Sequence, residues 1–202
     1  MPASAKKSLY SLHPGYAMEA TSMVNLQKRT GKTLEEWIKI VKKSGPPTEQ
    51  ERREWLKQEH NITTNYAHWI AERAEGKGGA ENYHPEELVE AMFAGKKSGL
   101  IPIYEKLLHL GLKLGKDVKA CPCATIVPLY RQHVFAQIKP TTLTRLDLGL
   151  ALGNMKTPKR LINTGGYEKK DRITHRIPIS ALEEIDDEVK HWLKVAYEMD
   201  EK

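Results

Sequence analysis

The sequence predicts an α+β protein: an N-terminal helical bundle followed by a small antiparallel sheet of about four strands, with helices on one face. Three observations carry that prediction. Up to about residue 76, apolar residues recur at i, i+3, i+4 and i+7, the period of an amphipathic helix. Between residues 124 and 179 the period falls to two: Leu146, Leu148, Leu150 and Leu152 lie on one side of the chain, and Arg145, Asp147, Gly149 and Ala151 on the other. A helical period returns after Ser180. Strands gathered in one run between helices point to an antiparallel sheet rather than to alternating βαβ units.

Each element has its own local cause. Pro14 suits the first turn of a helix running to about Arg29, with Gly31 just past its end. Thr33 and Glu36 form a capping box, each satisfying a backbone donor of the other. Leu34, Trp37, Ile38 and Val41 then make one stripe, which Gly45-Pro46-Pro47 ends. Thr48 and Glu51 are a second capping box, opening a helix through His60 that buries Trp55 and Leu56. Asn61 before Ile62 suits a left-handed cap with an apolar residue behind it. The next helix, from near Thr64, carries Tyr66, Ala67, Ile70, Ala71 and Ala74. These helices are assigned to a domain over residues 1–76. The run Gly76-Lys77-Gly78-Gly79-Ala80 opens a linker over 77–96, which includes a short helix from Pro85 ended by Gly95.

Residues 97–202 form the predicted α+β domain. A helix from Pro102 aligns Ile103, Leu107, Leu110 and Leu114 and stops at Gly115. Strands are expected over 124–130, where Pro128 calls for an edge or a bulge, then 134–139, 145–152 and 173–179. Ser180 and Glu183 read as a third capping box. The closing helix buries Ile185, Val189, Trp192, Leu193 and Ala196.

The 202 residues are 40% hydrophobic, enough for a substantial core. This composition excludes a disulfide scaffold and a disordered chain. No run of eighteen apolar residues occurs, so no membrane span or membrane partner is expected. The N-terminus has no continuous apolar segment of the kind a secretory signal needs. Cys121 and Cys123 point to opposite sides of an extended chain, so they are expected to be free thiols in a cytoplasmic protein. The net charge of +6 is unevenly spread. Residues 1–95 are neutral, whereas 96–182 hold 16 basic and 5 acidic residues.

That surplus directs attention to the side of the sheet opposite the leucines. If the alternations share one sheet, this face and its margins carry Tyr130, Arg131, His133, Phe135, Gln137, Lys139, Arg145, Asp147, Thr174 and Arg176. Cations beside an exposed aromatic ring can hold phosphates and stack bases. The leading reading is therefore a non-catalytic binding protein for an anionic partner, nucleic acid foremost. Lys139, Arg145 and Arg176 would contact phosphate, and Phe135 or Tyr130 would offer the stacking surface. An ordinary solvated face explains the same residues, as does a face covered by the helical half.

Two further functional readings stay open. One is a small-molecule-binding protein or enzyme with a pocket at the seam between the halves, built from Tyr130, Arg131, His133, Arg145, Asp147 and His175. The other is an interaction module that docks a partner protein through Trp37, Trp55 or Trp69, which requires at least one of them to be exposed. The helix–Asn61–helix segment has the outline of a helix-turn-helix, but Glu51, Glu54, Glu59, Glu72 and Glu75 surround it where DNA would call for cations.

No catalytic residue, cofactor or metal is expected. Gly31-Lys32-Thr33 copies the end of a phosphate-binding loop, but Leu26 stands where its first glycine belongs. Cys121 and Cys123 lack the second ligand pair of a zinc site. Asp147, flanked by arginines, reads as an ion pair rather than a base. His175, alternating with isoleucines, reads as a buried and satisfied side chain. The acidic run from Glu183 to Glu188 suits the N-terminal end of a helix.

Two stretches carry a resemblance. The segment TGKTLEEWIKIVKKSGP with REWLKQEHNITTNYAHWIAERA resembles a small helical bacterial domain of unknown function. CPCATIVPLYRQHVFAQIKPTTLTRLDLGLAL, with LINTGGYEKKDRITHRIPI and the closing helix through Tyr197, is similar to a second domain of unknown function often joined to it. The resemblance covers about residues 10–200. It implies a two-part chain and no transferable activity. The order of elements in the second part is also similar to small α+β domains described as DNA-binding-like, an analogy of fold alone.

Overall fold

Seven helices and a six-stranded antiparallel sheet make up the protein in a computed structural model, which describes residues 8–156 and 158–201. The chain divides into two compact units: one is Leu12–Tyr83, and the other comes from the described residues before and after it.

The first unit holds helices α1 (Gly15–Thr30), α2 (Leu34–Ser44), α3 (Glu49–His60) and α4 (Thr64–Ala74). Both of its capping boxes form. Thr33 N–H donates to Glu36 at 2.7 Å while Glu36 N–H donates to the Thr33 hydroxyl at 3.2 Å, and Thr48 and Glu51 repeat the exchange. Asn61 takes the left-handed conformation (φ 52°), and Ile62 N–H returns to the Leu56 carbonyl at 3.0 Å. Leu26, Trp37, Val41, Leu56, Ala67 and Ile70 form the core. Within it, the Trp37 indole donates to the Thr30 hydroxyl at 3.0 Å, so its one polar atom is satisfied.

The second unit holds α5 (Pro85–Met92), α6 (Ile101–Leu112), the sheet and α7 (Asp187–Met199). The strands are β1 (Lys119–Ala120), β2 (Val127–Tyr130), β3 (Val134–Pro140), β4 (Leu146–Leu150), β5 (Ile162–Asn163) and β6 (His175–Ile179), in the order β1-β2-β3-β4-β6-β5. The sheet thus has six strands rather than four. The two extra ones, β1 and β5, are two residues long and lie at its edges. A pair of residues is too short to display an alternation.

The leucine face is buried as expected. Leu146, Leu148 and Leu150 pair across to Ile179, Ile177 and His175 on one side, and to Pro140, Ile138 and Ala136 on the other. α6 contributes Leu107 and Leu108 to this core, and α7 contributes Val189, Leu193 and Ala196. The third capping box does not form. Residues Leu182–Glu184 make a separate 3-10 turn, and α7 begins only at Asp187, capped by the Asp186 side chain on Val189 N–H. Among the described residues, no helix is long and apolar enough to cross a membrane.

Candidate functional site

The register of the sheet defines its polar face. Lys139 stands opposite Asp147, which stands opposite Pro178; one step along, Gln137 stands opposite Gly149 and Gly149 opposite Arg176. Asp147 is buried there. It accepts from Arg145 Nε at 3.0 Å and from Arg176 Nη1 at 2.6 Å. A buried carboxylate is costly unless charge and hydrogen bonds compensate it, and the two guanidinium groups supply both. Each arginine side chain keeps 33% of its surface exposed, so the pair faces solvent while its anchor does not. Asp147 is thus the ion-paired residue that its neighbours indicated. Lys139 is exposed beside it.

Gly149 has a local role. A Cβ at this position would lie 2.8 Å from Gln137 Cγ and 2.8 Å from Ile173 Cγ2, so its bareness lets both side chains close over β4.

Phe135 requires a correction. Strict alternation would put it on the polar face, but it is fully buried in the core. Leu129 pairs with Ala136 and Tyr130 with Val134, which leaves Phe135 as the extra residue of a β-bulge. The bulge breaks the period of two, and Phe135 and Ala136 are both buried. Phe135 therefore offers no stacking surface. Thr174 is also buried rather than displayed, its hydroxyl accepting from Leu152 N–H at 3.2 Å.

Tyr130, Arg131 and His133 lie at the β2–β3 turn, at the other end of β3 from Lys139. Tyr130 is half-buried, and burial raises the pKa of its phenol. Arg131 Nε donates to Asp117 at 2.7 Å, its Nη1 lies 3.3 Å from Glu201, and its guanidinium sits 4.2 Å from the Tyr197 ring centroid. His133 is exposed, with Nδ1 3.2 Å from Asp200. Asp200 itself is buried, and it also accepts from the backbone N–H groups of Gln132 and His133 and from Arg172. These residues clasp the turn to the end of α7. His175 lies on the core face, where it bonds the Thr174 hydroxyl at 2.9 Å and burial lowers its pKa. The six residues considered for an enclosed pocket therefore do not converge. None of Trp37, Trp55 and Trp69 is exposed.

Asp200, Asp117 and Tyr197 were absent from the sequence-derived site. Their partners lie 14 to 80 residues away, and no local pattern announces them.

One regularity organises the cations. All five arginines of residues 96–182 are held by carboxylates: Arg131 by Asp117 and Glu201, Arg145 and Arg176 by Asp147, Arg160 by Asp186 and Glu188, and Arg172 by Asp200. The eleven lysines of the same stretch form no ion pair among the described residues. Arginines fasten the unit, and lysines carry its charge into solvent. No grouping of three or more His, Cys, Asp or Glu side chains suited to a metal occurs among the described residues.

Comparison with known families finds two matches. The model of a domain of unknown function, DUF5655, matches residues 89–200, and that of another domain of unknown function, DUF4287, matches residues 19–76. No curated protein and no solved structure matches the chain.

Proposed function

The chain belongs to the family of the domain of unknown function DUF5655, and we propose that this part of it is a non-catalytic binding module for an anionic partner, nucleic acid foremost. The observation that carries this reading is the arginine pair on Asp147. Two cations, Arg145 and Arg176, share this one carboxylate, and exposed Lys139 stands opposite it on β3. Arg145 engages Asp147 through Nε and Arg176 through Nη1, which leaves further guanidinium N–H groups for phosphate oxygens. Their anchor holds them in place before a ligand arrives, which lowers the ordering cost of binding. A chain of this size with two cysteines, Cys121 and Cys123, suits a cytoplasmic setting for this role.

Fluorescence anisotropy with a labelled single-stranded oligonucleotide tests the proposal. Three phosphate contacts predict that affinity falls on the order of tenfold between about 50 and 200 mM salt. Lys139→Glu, a change at an exposed position, should weaken binding and flatten that dependence. An absence of binding at the lower salt, or binding indifferent to both salt and Lys139→Glu, overturns it.

A further inference from the structure

A hollow elsewhere in the same unit has the opposite character to the sheet face. It is a cleft of about 390 Å³ between α5, the 3-10 turn Gly95–Leu100 and α6, closed on one side by Leu9 and Tyr10. That volume lies in the range of small-molecule sites. The N-terminal segment is tied in place: Tyr10 bridges Ala120 beside β1, Ser11 N–H donates to the Ala120 carbonyl at 2.8 Å, and the Tyr10 and Tyr104 hydroxyls are 2.9 Å apart. The lining is largely apolar, with Val89, Phe93, Ile101 and Leu108 beside the two tyrosine rings.

Its charge sets it apart. Among the described residues, the charged side chains at the lining are Glu90 and Glu105, and no lysine or arginine contributes to it. Of the lysines adjoining lining residues, Lys97 bonds the Pro140 carbonyl and Lys106 that of Leu182, while Lys96, beside Gly95, is exposed and outside the lining. α5 carries Glu86, Glu87 and Glu90 and no basic residue. His109 Nδ1 lies 2.7 Å from the Glu105 carbonyl, which requires the proton on Nδ1 and leaves Nε2 as an acceptor when the ring is neutral. A phenol pair, aromatic faces, acceptors and two carboxylates around an apolar hollow select an apolar body that bears a positive charge.

We propose that this cleft is a binding site for a small amphipathic amine, whose apolar part fills the space against Phe93, Tyr104 and Leu108 and whose ammonium group meets Glu90 and Glu105. The site is independent of the sheet face: it selects cations, whereas the Asp147 arginine pair selects anions.

The test is a two-dimensional NMR titration of the full chain with 2-phenylethylamine, and with phenylacetate and 2-phenylethanol as anionic and neutral counterparts of similar shape. The amine is expected to give saturable shifts at the amides of Phe93, Ile101 and Leu108, with affinity about tenfold above that for phenylacetate. Glu90→Gln with Glu105→Gln should reduce this preference to near parity while retaining the apolar contribution. Ala94→Phe, which narrows the cleft, should remove the shifts. The proposal is overturned if the amine gives no saturable shifts in the millimolar range, or if phenylacetate or the alcohol binds as well as the amine. It is equally overturned if the amides shift with protein concentration alone, which would assign the cleft to a second copy of the chain.

Discussion

Phe135 meets Tyr197 edge to face, with ring centroids 5.6 Å apart and planes at 76°. The contact joins the bulged residue of β3 to α7, and it exists because the bulge leaves Phe135 on the side that α7 covers. On the same ring of Tyr197 rests the guanidinium of Arg131, so one aromatic side chain packs the core and anchors the β2–β3 turn.

Phe135→Ala should therefore act on stability. Truncating a fully buried phenylalanine costs about 3–5 kcal/mol. Urea unfolding monitored by circular dichroism is expected to show that loss. Phe135→Leu should recover most of it, which an exposed stacking residue would not predict.

Asp147→Asn should destabilise the second unit by about 1–3 kcal/mol, because two guanidinium groups lose their shared anion. A double-mutant cycle gives the sharper reading. Arg176→Ala is expected to cost less in the Asp147→Asn background than in the native chain. Equal costs in both backgrounds would mean that the 2.6 Å contact contributes nothing.

Asp200→Ala should release the β2–β3 turn, since the amides of Gln132 and His133 and the Arg172 side chain lose a common acceptor. Hydrogen exchange is expected to accelerate at Gln132 and His133 while Leu148 and Ile177, deep in the sheet, keep their protection.

Burial lowers the pKa of His175, so its neutral form is favoured by folding. In the window between the folded pKa and the ordinary value near 6.5, the unfolded chain binds more protons than the native one. Stability from this group is then complete above about pH 6.5 and declines as pH falls through that value. Urea midpoints at pH 7.5 and 5.5 should differ more in the native protein than in His175→Gln.

Much of the fold was legible because its determinants are local. The two capping boxes, the left-handed Asn61 and the leucine alternation each depend on residues within six positions, and each appears in the structure where the pattern puts it. Ser180 and Glu183 failed by the same standard. Glu184, not Glu183, reaches back to Ser180 N–H, and Asp186 competes successfully for the start of α7. Of the site, Lys139, Arg145, Asp147 and Arg176 were readable from alternation on neighbouring strands, whereas Phe135 was misplaced by one inserted residue.

The sequence by itself determined that the chain has a helical and a sheet-bearing part, the starts and stops of several helices, the buried leucine face and the concentration of cations in the second part. Only the tertiary structure decided which of those cations remain available. Arg131, Arg160 and Arg172 are claimed by carboxylates of the closing segment, residues 26 to 70 positions away. Periodicity and capping are properties of near neighbours along the chain. Ion pairing, bulge register and the acidic cleft beneath Tyr10 depend on which distant segments the fold brings within a few ångströms of one another.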